Sequence, residues 1–297
     1  MADSHLFRGV APALVTPFTA QDEVDEVAFR RLIAHQIEGG VGGLVVLGTT
    51  GENPTTTQYE RRRLVDLAME HADGQVPVIV GTGTNSTEES IAFSVEAAKA
   101  GADGLLVVGP YYNKPSQVGF RRHVEAIAER TDCPIILYNV PGRTSFNIAP
   151  ETVLALAEDV PSIAGVKEAS GDLAQISDIL KHRPASLAVY AGDDEMGFPL
   201  MAMGAEGVIS VISNALPGPF CAMVDNALSG DIDAARQQHF ELLPAMRACF
   251  FETNPVPVKL VLAAQGQMEP HVRLPLVLPT DEDPVRARIQ SAFAPHL

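Results

Sequence analysis

The amino-acid sequence predicts a (β/α)8 barrel followed by a C-terminal helical extension. Three observations carry this fold class. Eight short runs rich in Val, Ile, Leu and Gly recur between residues 11 and 211, amphipathic stretches separate them, and the alternation stops after the eighth.

The runs lie at 11–16, 43–47, 77–80, 104–108, 134–138, 163–167, 187–191 and 207–211. Most are near-continuously apolar, the composition of parallel strands covered by helices on both faces. The intervening stretches carry helix-start signals. Thr57-x-x-Glu60 is a capping box ahead of a helix over 61–71. Ser86-x-x-Glu89 is another ahead of 91–99, and Gly101 sits where a C-terminal glycine belongs. Eight strands with helical crossovers are better satisfied by a closed barrel than by an open doubly wound sheet. No Gly-x-Gly-x-x-Gly follows a strand, which weighs further against a dinucleotide-binding sheet. After residue 211 the periodicity becomes helical, over 219–228, 232–251, 256–264 and 284–293. The chain therefore divides into a barrel carrying the catalytic site at 1–230 and a helical extension at 231–297, with Gly230 at the boundary.

A length of 297 residues, 46% of them hydrophobic, is enough for one large α/β domain with such an appendage. Apolar runs reach only about ten residues, too short to span a bilayer. The stretch 1–7 is polar and charged and lacks an apolar signal core, so the expected location is the cytoplasm. Three widely spaced cysteines, Cys133, Cys221 and Cys249, without a Cys-x-x-Cys, read as buried thiols in a reducing compartment. A formal charge of −16 makes nucleic acid and anionic membrane poor partners.

In a barrel of this kind the chemistry sits at the C-terminal ends of the strands. Lys167 is the unusual residue there, because it closes the apolar run Ile163-Ala164-Gly165-Val166. Burying an ammonium costs several kcal/mol unless it is paired or gives up its proton. The free amine is the form that attacks a carbonyl to make a Schiff base. The alternative is a rim lysine that snorkels or pairs with Glu168. Tyr138 closes the neighbouring run, so a phenol can serve the proton transfers that imine formation needs beside the nitrogen. Thr49 and Thr50, between Gly48 and Gly51, offer hydroxyls and amides to a small carboxylate. Arg143, in the turn after Tyr138, is placed to meet a second carboxylate. Metal-dependent chemistry is weaker. The histidines fall in expected helices, loops or tails, and Asp193, Asp194 and Glu52 are only a minor candidate set for magnesium. Neither a metal nor a cofactor is expected. The seventh and eighth loops lack a glycine-rich phosphate cradle, which disfavours a phosphorylated substrate.

The stretches Gly48-Thr-Thr-Gly-Glu52, Tyr138-Asn-Val-Pro-Gly-Arg-Thr144 and Gly165-Val-Lys-Glu-Ala169 resemble signatures of the dihydrodipicolinate synthase/N-acetylneuraminate lyase superfamily. The resemblance runs over nearly the whole chain, including Asn254-Pro-Val-Pro-Val-Lys259. It leans to the synthase branch through 111–116, Arg143 and Thr49, where N-acetylneuraminate lyases typically have serine. The resemblance implies that Lys167 forms an imine with pyruvate and that Tyr138 moves protons to and from it. Thr49 and Tyr112 would complete a proton relay, Tyr112 reaching in from a neighbouring subunit. Thr50 would hold the pyruvate carboxylate, Ile209 would contact pyruvate through its backbone, and Arg143 would receive the carboxylate of L-aspartate 4-semialdehyde. The imine becomes an enamine, adds to the aldehyde, and the product cyclises as the lysine is released, a step of lysine and diaminopimelate biosynthesis. Members are usually homotetramers built as dimers of dimers. The alternative is a sister pyruvate-dependent class I aldolase or lyase acting on a sugar acid or N-acetylneuraminate. A catalytically silent relative is disfavoured because both Lys167 and Tyr138 are present. Asn85, Glu89 and Tyr111 match the family's lysine-effector site. Gln58 and Arg61 stand where lysine-sensitive members often carry histidines, so weak or absent feedback is expected.

Overall fold

The structure, a computed structural model, describes residues 5–296. Residues 1–4 of the polar N-terminal stretch and Leu297 of the expected extension lie outside the described residues. The strands are β1 (Gly9–Pro12), β2 (Leu44–Val46), β3 (Val78–Gly81), β4 (Gly104–Val108), β5 (Ile135–Asn139), β6 (Ile163–Glu168), β7 (Ala188–Ala191) and β8 (Gly207–Ser210). All neighbours pair in parallel, in the order β1-β8-β7-β6-β5-β4-β3-β2. A parallel bridge between Ala13 and Val45, with Leu14 N donating to Val45 O at 2.9 Å, joins the two ends of that order and closes the barrel.

Because side chains alternate along a strand, the barrel has two separate apolar faces. Ala11, Val45, Ile79, Leu106, Ile136, Ala188 and Ile209 fill the interior. Their neighbours in sequence join the larger cluster between the sheet and the helices. The interior is packed rather than open: Phe7, just ahead of β1, stacks on Tyr190 with ring centroids 4.2 Å apart, and the Tyr190 hydroxyl donates to Phe7 O.

The expected first strand at 11–16 is displaced, since the ladder covers Gly9–Pro12. Beyond it the side-chain amide of Asn214 takes over the backbone groups, donating to Ala13 O and accepting from Val15 N at 3.0 Å. Thr57 and Glu60 form the reciprocal capping box, which starts its helix at Gln58–Ala72, earlier than the apolar periodicity alone implied. Ser86 caps the helix Thr87–Lys99, and Gly101 beyond it adopts φ +93°. In the C-terminal part, the helix Pro217–Ser229 ends at Gly230, φ +90°, and packs on the helix Ile232–Ala248. That helix stops short of the expected residue 251. The helices Val256–Ala264 and Pro284–Phe293 match their expected spans and pack on each other.

Candidate active site

β5 and β6 pair with Tyr138 opposite Lys167 and Asn139 opposite Glu168. The alternation of side chains sends the first pair into the barrel and the second outward. Lys167 and Tyr138 are both buried, 5% and 6% exposed. The Lys167 Nζ lies over the Tyr138 ring, 4.2 Å from its centroid. Glu168 is on the other face, where it accepts from Asn139 Nδ2 at 3.1 Å, Gln175 Nε2 at 2.9 Å and Ser170 N at 2.8 Å. The Lys167–Glu168 pairing considered from sequence does not form. Among the described residues no carboxylate forms an ion pair with Lys167. A buried amine held against a phenol ring and not tied up in an ion pair is able to take a carbonyl carbon as its partner.

The strand-seven loop shapes the space around this amine. A Cβ on Gly192 would come within 3.1 Å of Lys167 Cε and 2.7 Å of Ala169 Cβ, so a glycine there leaves room for the lysine stem. Asp193 follows. Burial pushes its carboxyl up, while the Glu195 amide and the Lys167 charge oppose that. Asp194 turns the other way and accepts from Ile212 N at 2.8 Å and Val211 N at 3.1 Å, which pins the end of β8 beyond Ile209. Burial pushes Asp194 up to about 6. Ile209 itself is fully buried in the barrel interior, paired with Ala11.

Across the barrel, β2 runs into a tight turn at Thr49–Gly51. Thr16 Oγ1 donates to Gly51 O at 2.7 Å and Glu52 closes the turn in the left-handed region, φ 52°. Thr50 is buried and its Oγ1 accepts from Asn254 Nδ2 at 2.9 Å, whereas Thr49 is half-buried. Glu52, one of the minor candidates for magnesium, is instead the ion-pair partner of Lys259, and its Oε2 also accepts from Arg273 N at 3.0 Å. Lys259 is fully buried over the Phe18 ring. Burial pushes its ammonium down to about 8, with Glu52 opposing the shift. The C-terminal helices thus hold the loop that carries both threonines.

Arg143 stands on the short helix Pro141–Thr144 immediately after β5, exposed and without an ion-pair partner among the described residues. Tyr112 is not brought to this constellation within the chain. Its side chain is 89% exposed, on a residue with φ 71°, a conformation that a bulky residue adopts at a cost.

A family model described as the dihydrodipicolinate synthetase family matches residues 6–291. The chain belongs to the dihydrodipicolinate synthetase family. The 4-hydroxy-tetrahydrodipicolinate synthase of Salinibacter ruber is 70% identical over 293 residues, covering 99% of this chain and 97% of the relative. The dihydrodipicolinate synthase structure from Thermotoga maritima superposes with a TM-score of 0.95 at 43% identity, covering 98% of this chain and 99% of that one. A chloride-inhibited dihydrodipicolinate synthase from Acinetobacter baumannii, solved in complex with pyruvate, superposes with a TM-score of 0.94 at 36% identity, covering 97% and 98% of the two chains.

The residues expected from the sequence to bear on an effector site gather at a second place in this fold. Arg61 is buried, donates through Nη2 to Gly81 O at 2.8 Å and lies 4.0 Å over the Phe93 ring. Burial pushes its guanidinium down to about 10, opposed by Glu96, Tyr111 and Glu89. Gln58 donates to Glu96 at 2.8 Å, and Asn113 ties the strand-four loop to Asn85 O at 2.8 Å. Asn254 and Lys259 were given no separate role by sequence reasoning in this synthetase-family chain. The signal for Lys259 was present, since it interrupts the apolar run Val256–Ala264 just as Lys167 closes one.

Proposed function

We propose that this chain is a 4-hydroxy-tetrahydrodipicolinate synthase that condenses pyruvate, held as a Schiff base on Lys167, with L-aspartate 4-semialdehyde. The observation that carries the reading is the buried Lys167 Nζ over the Tyr138 ring, with no carboxylate among the described residues in an ion pair with it. The names of the relatives support the reaction. The pyruvate complex of the Acinetobacter baumannii protein supports the first substrate.

The chemistry runs as follows. The Lys167 amine adds to C2 of pyruvate, and Tyr138 protonates the oxygen that leaves as water, giving the imine. Thr50 donates to the pyruvate carboxylate while the backbone at Ile209 borders the substrate. Loss of a proton from C3 gives the enamine, whose C3 attacks the aldehyde carbon. Arg143 holds the carboxylate of the incoming semialdehyde. Cyclisation through the substrate's own amino group then displaces Lys167 and regenerates the amine. Thr49 links Tyr138 to bulk solvent together with Tyr112, which a neighbouring subunit supplies. The exposed Tyr112 ring and its left-handed backbone support that placement. The assembly is a cytoplasmic homotetramer, a dimer of dimers. The described residues hold no helix long and apolar enough to cross a membrane. The barrel 1–230 supplies the reacting groups and 231–297 braces them.

Steady-state turnover with pyruvate and L-aspartate 4-semialdehyde, coupled to a reductase that consumes the cyclised product, tests the substrate pair. Turnover with that aldehyde is expected. An enzyme that forms the pyruvate imine yet turns over only a sugar-derived aldehyde would contradict it. Feedback by lysine is weak or absent, because Arg61 already places a cation where the amino groups of lysine would bind. Half-inhibition by submillimolar lysine in the same assay would overturn that expectation.

A further inference from the structure

Thr50 can hold a carboxylate only if its hydroxyl proton points at the substrate. A threonine hydroxyl has one proton and can accept at its lone pairs, so the direction of donation is set by whatever else it touches. Here its partner is Asn254, 204 residues away on the turn between the helices Ile232–Ala248 and Val256–Ala264. Asn254 is buried, its Nδ2 donates to Thr50 Oγ1 at 2.9 Å, and its Oδ1 is buried without a hydrogen-bond partner among the described residues. An amide turned the other way would accept the only Thr50 proton and leave nothing for a carboxylate. With Nδ2 donating, the chain N–H to O–H to carboxylate runs in one direction and each bond polarises the next. The ion pair of Lys259 with Glu52, five residues along from Asn254 and two from Thr50, locks the two segments in this register.

We infer that Asn254 is a positioning residue for the first substrate: it acts through Thr50, fixing that hydroxyl as the donor to the carboxylate of the 2-keto acid. The inference rests on the reading of Lys167 as the imine lysine and Thr50 as the carboxylate contact. It is tested by titrating pyruvate in a borohydride-trapping experiment and measuring adduct per chain, in the parent protein, Asn254→Leu, Asn254→Ala, Thr50→Val and the double variant Thr50→Val/Asn254→Leu. The net value of a hydrogen bond to a charged group corresponds to roughly 10- to 100-fold in affinity. Asn254 orients that bond rather than making it, so the pyruvate concentration for half-trapping is expected to rise by only part of that range, roughly 5- to 20-fold, in both Asn254 variants. Trapping at saturating pyruvate should change less than about 2-fold, and Asn254→Leu should add nothing to Thr50→Val. Parent-like half-trapping in folded Asn254 variants would overturn the inference, and so would a full-sized Asn254→Leu effect in the Thr50→Val background. No adduct in the parent protein would instead overturn the Lys167 reading, and this inference with it.

Discussion

Lys167 and Tyr138 face each other because they sit opposite one another in the β5–β6 register, where one position of slip would have turned one of them outward and parted the pair. Their roles separate in experiment. Lys167→Ala is expected to abolish both turnover and adduct formation. Tyr138→Phe keeps the ring but loses the proton carrier, so kcat should fall roughly 100- to 10,000-fold while a slow adduct still accumulates. A Tyr138→Phe enzyme with near-parental kcat would remove the phenol from the mechanism. Arg143 stands apart from the imine on its own short helix, so Arg143→Ala should raise the KM for the aldehyde roughly 10- to 100-fold and leave pyruvate trapping unchanged. Loss of pyruvate trapping in that variant would contradict the division of labour. The juxtaposition of Lys167 and Tyr138 was legible in the sequence because each closes one of two neighbouring apolar strands, and a lysine buried there is costly unless used. Asn254 was not, because an asparagine between two helices reads as ordinary turn chemistry until its partner 204 residues away is known.

Among the elements, the strands were readable from their apolar runs, and the caps at Thr57 and Ser86 from local spacing. The first strand was misplaced because Asn214, remote in sequence, supplies the hydrogen bonds that a ladder would have supplied. Similarly, nothing local says that the C-terminal helices clasp the strand-two loop. Two ion pairs tie the C-terminal part to this region, Lys259 to Glu52 in the loop and Arg273 to Glu60 in the helix Gln58–Ala72, and they should fail differently. Lys259→Met leaves the Glu52 charge buried and unpaired, which should cost about 3–5 kcal/mol, whereas Glu52→Gln with Lys259→Met should recover much of it. Equal losses in the single and double variants, by chemical denaturation, would contradict the buried-charge argument. Arg273 bonds Glu60 and pulls its carboxyl down to about 2. A depressed carboxyl contributes stability that is complete above its unfolded value near 4.5 and is lost as pH falls through about 2. Glu60→Gln should therefore lower stability by about 2 kcal/mol at pH 7, with the gap from the parent narrowing progressively below pH 4.5. A gap independent of pH would show that the charge is not what stabilises the clasp.

At the scale of the whole molecule, the amine, phenol, threonine turn and arginine of the proposed site all lie at the C-terminal end of one barrel. In the proposed assembly, the exposed Tyr112 is the piece that a second subunit would deliver. Mixing Lys167→Ala with Tyr112→Phe after dissociation and reassembly should regain roughly a quarter of parental activity, because half of randomly paired dimers are mixed and each has one complete site. No regain would place Tyr112 outside the relay. The imine itself is the claim on which the rest depends. Reduction with sodium borohydride in saturating pyruvate, followed by intact-mass measurement and peptide mapping, should show one reduced pyruvate per chain, on Lys167. An unmodified mass, or an adduct on Lys114, Lys259 or another lysine with Lys167 free, would contradict the proposed chemistry.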